Sequence, residues 1–450
     1  MTAIQPSSEL AAQTVWPVDR IKDHTRKIGS GITPTGGAAS YLDAGIPLLR
    51  SQNVHFDGLR LDDVAYIAEE THEEMSGTKV RARDVLLNIT GASIGRCTFV
   101  PDGFGEGNVN QHVCIIRQAA KLNYKFLTYC LSAPCGQDQV FSSFTGASRQ
   151  GLGQRDLGGI QVPLPPPSEQ QRIAAYLDAS CAAIDAAVAA KRRQLETLDA
   201  VRETLIESAV TRGLRGRAPM RALNEDWITD IPAHWEVCRI KRIVCRVDYG
   251  ISESTKPEGR FPVLKMGHIQ RGEIEFRDLD FVEDVADDLL LETGDLLYNR
   301  TNSPDQVGKA AIFRRSRSDG VTFASYLVRV RTNHRADPYF LNYLINSSGF
   351  LSFARKLAIP SVQQSNLNST RYCQMLISRP PIEEQREIRL YLDTKLAELS
   401  RVVTGIESQI DTLVAYRKSL IHECVTGQRR VTVADLRQVN VAASCELSNH

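Results

Sequence analysis

Apolar residues recur every three or four positions along two long stretches of the chain, and this spacing predicts two long helices. The first stretch, from Ser168 to Arg212, contains neither glycine nor proline. Ser168 and Gln171 form a capping box at its start, and Gly213 closes its end. The second stretch begins near residue 380 and repeats the pattern more regularly. A period of 3.5 residues held over about five heptads indicates a seam between paired helices, each about 65 Å long.

The residues predicted to pair the helices are apolar side chains on one face of each stretch: Leu177, Ile184, Leu195, Leu198 and Leu205 in the first, and Leu392, Leu399, Ile406, Leu413 and Leu420 in the second. Polar residues interrupt the seam at Lys191, Arg202 and Arg417. The arginines either extend from the seam edge into solvent, or fix register and antiparallel direction by meeting a carboxylate. Two core helices of separate domains are the alternative, although such helices are typically half this length.

The chain contains an internal repeat. The residues that open each long stretch recur at a constant spacing of 215 positions: Pro165, Pro166, Glu169 and Gln170 match Pro380, Pro381, Glu384 and Gln385. The register continues without a gap along both stretches. Repeats of this length indicate that one structural unit is present twice.

The segments before the helices repeat more faintly, for example 16–22 with 235–241 and 84–90 with 295–301. They mix short alternating apolar runs with glycine-rich turns and one short helix, so each is predicted to be a compact α+β domain. The predicted fold class is α+β, with two globular domains of mixed α/β structure alternating with two long helices. The helices are expected to pair as an antiparallel coiled coil with pseudo-twofold symmetry.

Composition agrees with an ordinary globular chain, since 42% of the 450 residues are hydrophobic and 24% are charged. We expect a cytoplasmic protein without membrane association, because neither a signal peptide nor a bilayer-spanning run is apparent. The ten cysteines contain no Cys-x-x-Cys pair. Buried reduced thiols are therefore expected in place of disulfides or a zinc site.

The net charge of +1 hides a local contrast. Residues 271–299 carry ten acidic and two basic side chains, and residues 300–335 carry eight basic and two acidic ones. A solvated face would explain either run alone. The juxtaposition leaves open a polarised domain with a DNA-facing surface.

The alternation of globular segment and long helix, with Pro-Pro-x-x-Glu-Gln opening each helix, resembles the specificity (S) subunit of type I restriction–modification enzymes. The resemblance covers all but about the first 15 and last 20 residues. It implies a target recognition domain over 1–165, a conserved spacer helix over 166–215, a second recognition domain over 216–379, a second spacer helix over 380–430 and a C-terminal tail over 431–450.

By this resemblance the chain binds double-stranded DNA at an asymmetric bipartite site and directs adenine methylation and restriction by partner subunits. The partners are two modification (methyltransferase) subunits, with restriction (translocase/endonuclease) subunits left open. No catalytic residue, cofactor or metal is expected, because methyltransferase, P-loop and metal-ligand motifs are missing. A coiled-coil adaptor that joins two protein-binding modules without recognising DNA is the alternative.

Candidate DNA contacts are polar side chains whose hydrogen-bonding groups suit base edges and phosphates. In the first domain they are Arg50, Ser93, Arg96, Asn110, Gln111, His112, Ser148, Arg149, Gln150, Gln154 and Arg155. In the second domain they are Lys265, His268, Arg300, Thr301, Asn302, Gln306, Lys309, Ser325, Gln363, Gln364 and Asn366.

Overall fold

The repeat in the sequence is also a repeat in the structure. A computed structural model describes residues 7–145, 151–214, 216, 218–223, 227–361 and 364–439. The chain divides into unit 1, Met1–Lys191 with Ser408–His450, and unit 2, Arg192–Glu407. Each unit therefore holds one globular domain and one half of each long helix.

The described part of unit 1 opens with short helices and strands that precede the first long helix. The helices are α1 Ser7–Gln13, α2 Glu69–Glu74, α3 Tyr124–Ser132, α4 Pro134–Thr145 and α5 Gln154–Gly159. The strands are β1 Val18–Arg20, β2 Thr25–Ser30, β3 Ile46–Leu49, β4 Val54–His55, β5 Gly58–Leu59, β6 Ala65–Ile67, β7 Val85–Asn88, β8 Cys97–Phe99, β9 Asn108–Val109, β10 Val113–Gln118 and β11 Gln161–Pro163.

The long helices are α6 Pro167–Arg212 and, after the second globular domain, α10 Ile382–Thr426. Between them lie helices α7 Pro338–Ile345, α8 Ser348–Leu357 and α9 Ser369–Gln374. The strands of this part are β12 Met220–Ala222, β13 Asp230–Pro232, β14 Glu236–Arg239, β15 Val244–Tyr249, β16 Phe261–Leu264, β17 Ile269–Gln270, β18 Glu273–Ile274, β19 Asp280–Val282, β20 Leu296–Asn299, β21 Thr301–Asn302, β22 Ala310–Ile312, β23 Thr322–Phe323, β24 Leu327–Thr332, β25 Ile359–Ser361, β26 Gln364–Asn366 and β27 Leu376–Arg379.

The main sheets of the two globular domains have the same topology. The four-stranded antiparallel sheet β2-β10-β7-β8 of unit 1 corresponds to β15-β24-β20-β22 of unit 2. The mixed sheet β6-β3-β9 corresponds to β19-β16-β23, and in both the last pair is parallel. A ladder joins the start and end of each domain, β1 with β11 and β14 with β27. The α+β fold class is thus confirmed, and the topology repeats more faithfully than the sequence.

Each domain has more helix than the single short helix that the sequence predicts. In unit 1, α3 is followed directly by α4, and in unit 2 α7 is followed by α8. Helix α4 is fixed partly by tertiary hydrogen bonds, since the Gln139 amide accepts from the Gln161 N–H at 2.8 Å and donates to the Gln161 carbonyl at 3.0 Å. Such long-range bonds leave no periodic trace in the sequence.

Each globular domain packs on both long helices within its own unit. In unit 1, Phe126 and Leu127 of α3 share a core with Leu177 of α6 and Cys424 of α10. In unit 2, Phe340 of α7 shares a core with Val210, Ile388 and Leu392. The N-terminal part of one long helix therefore packs beside the C-terminal part of the other, which is the predicted antiparallel pairing.

The ten predicted pairing residues are all buried or half-buried. Two polar seam residues also bond across the helices in unit 1: Arg417 Nε lies 3.1 Å from Asp185 Oδ1, and Lys191 Nζ lies 2.5 Å from Gln409 Oε1. Arg417 thus meets a carboxylate, as the register hypothesis requires. Arg202 does not, because its guanidinium points to the Arg271 carbonyl oxygen at 3.4 Å.

One window in α6 is apolar enough, with a mean hydropathy of 1.5 over 18 residues, to satisfy a length-and-composition test for a membrane span. This corrects the expectation that no such run exists. The apolar side chains of α6 have another use, since Ile173, Leu177, Cys181, Ile184 and Val188 are buried in the unit 1 core. A helix that packs this way passes the same test, so the window is weak support for a span.

A buried glutamine has the same role at the start of both long helices. Gln170 accepts from the Asn123 N–H at 2.8 Å and donates to the Pro165 carbonyl at 2.9 Å. Gln385 accepts from the Asp337 N–H at 2.9 Å and donates to the Pro380 carbonyl at 2.8 Å. Asn123 and Asp337 are the N-caps of α3 and α7. The repeated glutamine therefore fastens the start of each long helix to the helix that packs on it.

Replacing this glutamine by an isosteric apolar side chain should destabilise one unit. Gln385→Met leaves the buried Asp337 N–H and two carbonyl groups without partners, at a cost of at least about 1–3 kcal/mol. Urea unfolding followed by tryptophan fluorescence measures the change, since Trp227 and Trp235 both lie in unit 2. Gln194→Met, at an exposed position of α6, is the matched control. Equal unfolding midpoints for the two variants would contradict the fastening role.

Candidate nucleic-acid interface

Two polar tracts of unit 2 that are distant in sequence meet at the end of β20. Strand β21 follows β20 after a single residue and pairs with β26, so that Thr301 lies opposite Asn366. The Asn366 amide donates to the Thr301 hydroxyl at 2.8 Å. We call the set gathered here the unit 2 polar surface: Arg300, Thr301, Asn302, Ser325, Gln364 and Asn366. The sequence predicted each of these residues as a DNA contact, and the structure brings them together; Gln363 lies outside the described residues.

Arg300 is the cation of this surface. Its guanidinium carbon lies 4.9 Å from the centre of the Tyr249 ring, and its Nη1 reaches the Ser325 carbonyl oxygen at 3.5 Å. Among the described residues no carboxylate pairs with it, and its Nε has no hydrogen-bond partner. Tyr249 is 43% exposed and bonds the Ser369 hydroxyl at 2.7 Å. The ring therefore orients a half-exposed guanidinium without neutralising its charge.

The equivalent place in unit 1, at the end of β7, is also polar. Thr90 Oγ1 lies 2.6 Å from His112 Nδ1, and Gln111 Nε2 lies 2.9 Å from His112 Nε2. The Asn88 amide, itself buried, reaches the Ser93 hydroxyl at 3.2 Å, and Arg96 follows on the same turn. We call Thr90, Ser93, Arg96, Gln111 and His112 the unit 1 polar surface. Ser148, Arg149 and Gln150 lie outside the described residues.

A returning segment borders both polar surfaces in the same way. In unit 1 the Leu152 N–H donates to the Ile89 carbonyl at 3.0 Å, and in unit 2 the Leu367 N–H donates to the Arg300 carbonyl at 2.8 Å. Gly151 has a positive φ of 102°, and a side chain there would collide with Ile89 and Thr90. Glycine is required because the segment passes so close to the end of β7. The two surfaces thus occupy one topological position but carry different side chains.

Several other candidates hold the fold instead of facing outward. Asn110 is 5% exposed and its side chain accepts from the His112 N–H at 3.1 Å. His268 is 8% exposed, and its Nδ1 accepts from the Lys265 N–H at 2.9 Å; burial lowers the pKa of His268. In the equivalent turn of unit 1, the Asn53 side-chain oxygen accepts from the Arg50 N–H, also at 2.9 Å. In the structure Asn110 and His268 therefore shape turns, and their contact with DNA stays a prediction.

The remaining candidate DNA contacts bond other parts of their own units or lie away from the polar surfaces. The Arg50 guanidinium donates to the Asp63 carbonyl at 2.8 Å, and Lys265 pairs with Asp280. Gln154 donates to the Ile28 carbonyl at 2.5 Å, while Arg155 is exposed on α5. Lys309 donates to Gln306 at 2.6 Å, and burial lowers the pKa of Lys309. No contact in the described residues brings these six side chains into the two polar surfaces.

The contrasting charge runs of unit 2 neutralise each other. Arg314 pairs with Glu273 at 2.7 Å, and Arg317 pairs with Glu292 at 2.7 Å. Arg331 pairs with the buried Asp295 at 2.7 Å. The sequence left open whether the basic run faces DNA. These arginines already form ion pairs with carboxylates of the same domain, so their charge is neutralised within the fold. Arg300, which has no such partner, is the basic residue left at the polar surface.

Known proteins share this organisation along most of the chain. A sequence model of the "Type I restriction modification DNA specificity domain" matches residues 57–197. The MjaVIII specificity subunit of Methanocaldococcus jannaschii is 23% identical, over 92% of this chain and 93% of that protein. The EcoKI specificity subunit of Escherichia coli K12 is 21% identical, over 84% of this chain and 80% of that protein. The chain is similar to type I specificity subunits over most of its length.

Solved structures show that the fold is shared with this family at low identity. A chain from a study of assembly and conformational transition of the type I R-M system superposes with a TM-score of 0.68, at 16% identity, over 91% of this chain and 97% of that one. The specificity subunit of Thermoanaerobacter tengcongensis gives a TM-score of 0.52, at 16% identity, over 92% of this chain and 97% of that one.

One sequence relative is matched over part of its length. The putative MjaX specificity subunit of M. jannaschii is 27% identical, and the match spans about half of that protein, 47%.

Two residues were not predicted from the sequence: Thr90 of the unit 1 polar surface, and Tyr249, whose ring contacts Arg300 of the unit 2 polar surface. Thr90 was not predicted as a DNA contact, although Thr301, its match in the internal repeat, was. Comparison of the two repeats would therefore have identified Thr90. Tyr249 was missed because an exposed aromatic residue beside a glycine has no periodic signature. Its contact with Arg300 depends on β15 and β20 being neighbours of β24 in one sheet.

Proposed function

We propose that the chain is the DNA-specificity subunit of a type I restriction–modification complex, with each polar surface reading one half of a bipartite target. The unit 1 polar surface contacts the first half-site and the unit 2 polar surface the second. The half-sites differ because the side chains of the two surfaces differ. In this proposal residues 1–165 and 216–379 are recognition domains, 166–215 and 380–430 are spacer helices, and 431–450 is a tail.

One observation carries this proposal: a repeated fold presents two polar surfaces at the same topological position, each bordered by a returning segment. A shared scaffold with different surface side chains suits two recognition tasks of one kind. Arg, Asn and Gln are the side chains that form paired hydrogen bonds with guanine and adenine edges. Their concentration at these two places favours base reading over a coiled-coil adaptor role.

Arg300→Ala should weaken or relax recognition of one half-site only. If Arg300 makes a paired contact with guanine, its removal costs about 1–3 kcal/mol, which is a loss of affinity of about 5- to 150-fold. The measurement is DNA binding by the assembled complex, with a sequencing map of methylated adenines in host DNA. Arg317→Ala, which removes an arginine already paired with Asp287 and Glu292, is the control and should leave the motif unchanged. Loss of sequence preference in both half-sites would contradict the assignment of Arg300 to one of them.

The proposed partners are double-stranded DNA, two modification subunits and, where present, restriction subunits. Apolar side chains remain exposed on the long helices, as at Leu390, which is 61% exposed, Val402 at 50% and Tyr416 at 49%. Exposed apolar patches of this kind support docking of partner subunits. In this proposal the complex is cytoplasmic, and the chain contributes recognition while its partners supply the chemistry.

The adaptor alternative makes a different prediction in a gel-shift experiment. A DNA-reading complex binds a duplex carrying the methylated motif, and its affinity falls steeply as salt rises, because phosphate contacts release counterions. An adaptor leaves the binding of the complex unchanged when Arg300 or the unit 1 polar surface is altered. Mapping methylated adenines should also show one asymmetric bipartite motif.

A further inference from the structure

A cluster of acidic side chains surrounds a buried histidine on α2 of unit 1. Ligand atoms of Glu69, His72 and Glu73 all lie within 4.8 Å of one another. Glu106 adds a fourth group, with its Oε2 3.9 Å from His72 Nε2. The positions i, i+3 and i+4 on a helix place the first three side chains next to each other. Exposed carboxylates alone would indicate little, so the state of the histidine decides what the cluster can bind.

The hydrogen bonds around His72 determine which ring nitrogen is available. Asn108 donates from its amide nitrogen to the Met75 carbonyl at 3.0 Å and to the Thr78 hydroxyl at 2.8 Å. The Thr78 hydroxyl hydrogen is itself donated to the Met75 carbonyl at 2.9 Å, so the hydroxyl accepts from Asn108. The Asn108 amide is therefore oriented with its oxygen toward His72 Nδ1, 2.5 Å away. An acceptor at that position requires a proton on Nδ1.

The other ring nitrogen, Nε2, is then left with nothing to bind. His72 is 1% exposed, and Nε2 has no hydrogen-bond partner among the described residues. Its nearest charged neighbour is a carboxylate. A lone pair facing a carboxylate across 3.9 Å is unfavourable, and a cation bound between the two atoms would satisfy both of them. Metal-binding histidines commonly have this arrangement. One ring nitrogen donates its hydrogen to a carbonyl oxygen, which orients the ring, and the other nitrogen is free to bind the metal.

We propose that His72 Nε2, Glu69, Glu73 and Glu106 form a binding site for a single divalent transition-metal ion of the zinc type. One imidazole with two or three carboxylates suits Zn²⁺, which binds nitrogen and oxygen at about 2.0–2.2 Å in a four-coordinate shell. Mg²⁺ and Ca²⁺ prefer oxygen ligands alone. Lys79 pairs with one oxygen of Glu73, so the ion uses the other oxygen or displaces the lysine. The three glutamates are exposed and can close on the ion without moving the backbone.

The ion would join α2 to the mixed sheet of unit 1. His72 lies on α2, while Asn108 begins β9, which runs parallel to β3 just before Arg50. Unit 2 provides a built-in comparison, because its residue equivalent to Asn108 in the strand pairing is Thr322. The Thr322 hydroxyl donates to the Leu289 carbonyl at 3.1 Å, with no histidine in the contact. Among the residues that the structure describes, the site is therefore found in unit 1 and not in unit 2, and it is independent of the proposed function.

The test uses the full chain without a histidine tag, in complex with its partners if it is unstable alone. After removal of metals with a chelator, Zn²⁺ is titrated by calorimetry and the melting temperature is recorded with and without Zn²⁺. We expect one equivalent to bind and the melting temperature to rise. Glu69→Gln with Glu73→Gln should lower the affinity by about tenfold or more and abolish the rise. Glu70→Gln with Glu74→Gln, at exposed positions of the same helix, should change neither.

Substitution with Co²⁺ separates this site from adventitious binding by cysteine. The described cysteines are reduced, and thiolate ligation of Co²⁺ gives an intense charge-transfer band, whereas imidazole and carboxylate ligands give only weak visible bands. Weak bands that disappear in His72→Gln support the proposal. A thiolate band, or Zn²⁺ affinity unchanged in the Glu69→Gln, Glu73→Gln chain, would overturn it, as would no Zn²⁺ binding by the native chain.

Discussion

Replacing residues 235–379 by the matching segment of a related specificity subunit should change one half of the methylated motif and leave the other half intact. The reason is that every residue of the unit 2 polar surface lies within this segment, and none of the unit 1 polar surface does. Contacts to base edges made by separate domains couple little over tens of ångströms. The readout is the methylation motif of host DNA with the chimera in place of the native chain.

The structure shows why this segment is a suitable unit of exchange. Its ends meet in the ladder of β14 and β27, where Glu236 lies opposite Arg379, so the graft begins and ends at one hydrogen-bonded pair. The segment shares a core with both long helices, so the donor must keep the residues that make these contacts. The donor must keep a tyrosine at the position of Tyr343, whose hydroxyl bonds Asp393 at 2.6 Å. It must also keep an N-cap residue at the position of Asp337, whose N–H bonds Gln385.

The reciprocal exchange is the control. Residues 18–163 are closed by the equivalent ladder of β1 and β11, with Val18 opposite Pro163. Exchanging them should change the other half of the motif. The requirement for tyrosine is the same, since Tyr129 bonds Asp178 at 2.9 Å. If either chimera altered bases in both halves, independent reading by the two units would be wrong.

The long helices and the duplication could be predicted from the sequence because both depend on spacing along the chain. Seam positions such as Leu177 and Leu392 recur with the helical period, and the repeat of Glu-Gln keeps an uninterrupted register. The internal repeat could even have exposed Thr90, through its match to Thr301. What spacing alone does not give is the partner of each side chain.

The candidate DNA contacts show that limit. Residue type cannot distinguish an asparagine that faces solvent from Asn110, which bonds the chain two residues on, because both are polar and both follow a strand. The charge runs of unit 2 are a second case. Arg314 and Glu273 are 41 residues apart in sequence and meet only because β18 and β22 become neighbours. A count of charges along the chain therefore overstated the basic surface that remains for DNA.

The paired length of α6 and α10 should set the gap between the two half-sites. Each helix contributes one half to unit 1 and one half to unit 2. Where the unit 1 halves of the two helices end, Lys191 and Gln409 bond each other at 2.5 Å. Four residues inserted after Ala190 in α6 alone would place the next seam residues about 6 Å and about 40° out of register with α10. We expect such a chain to lose methylation activity.

Inserting four residues at the same level in both helices, after Ala190 and after Gln409, should instead restore a continuous seam. A four-residue insertion is a stutter, which coiled coils accommodate by local unwinding. The added length of about 6 Å corresponds to about two base pairs at 3.4 Å each. The expected motif has the same two half-sites with a gap about two base pairs longer. Four residues inserted at Gly103, an exposed turn of unit 1 where a side chain would meet no neighbour, serve as the control and should leave the gap unchanged. Because the recognition surfaces are untouched in all three chains, a native gap with full activity after the paired insertion would show that the helices do not measure the spacing.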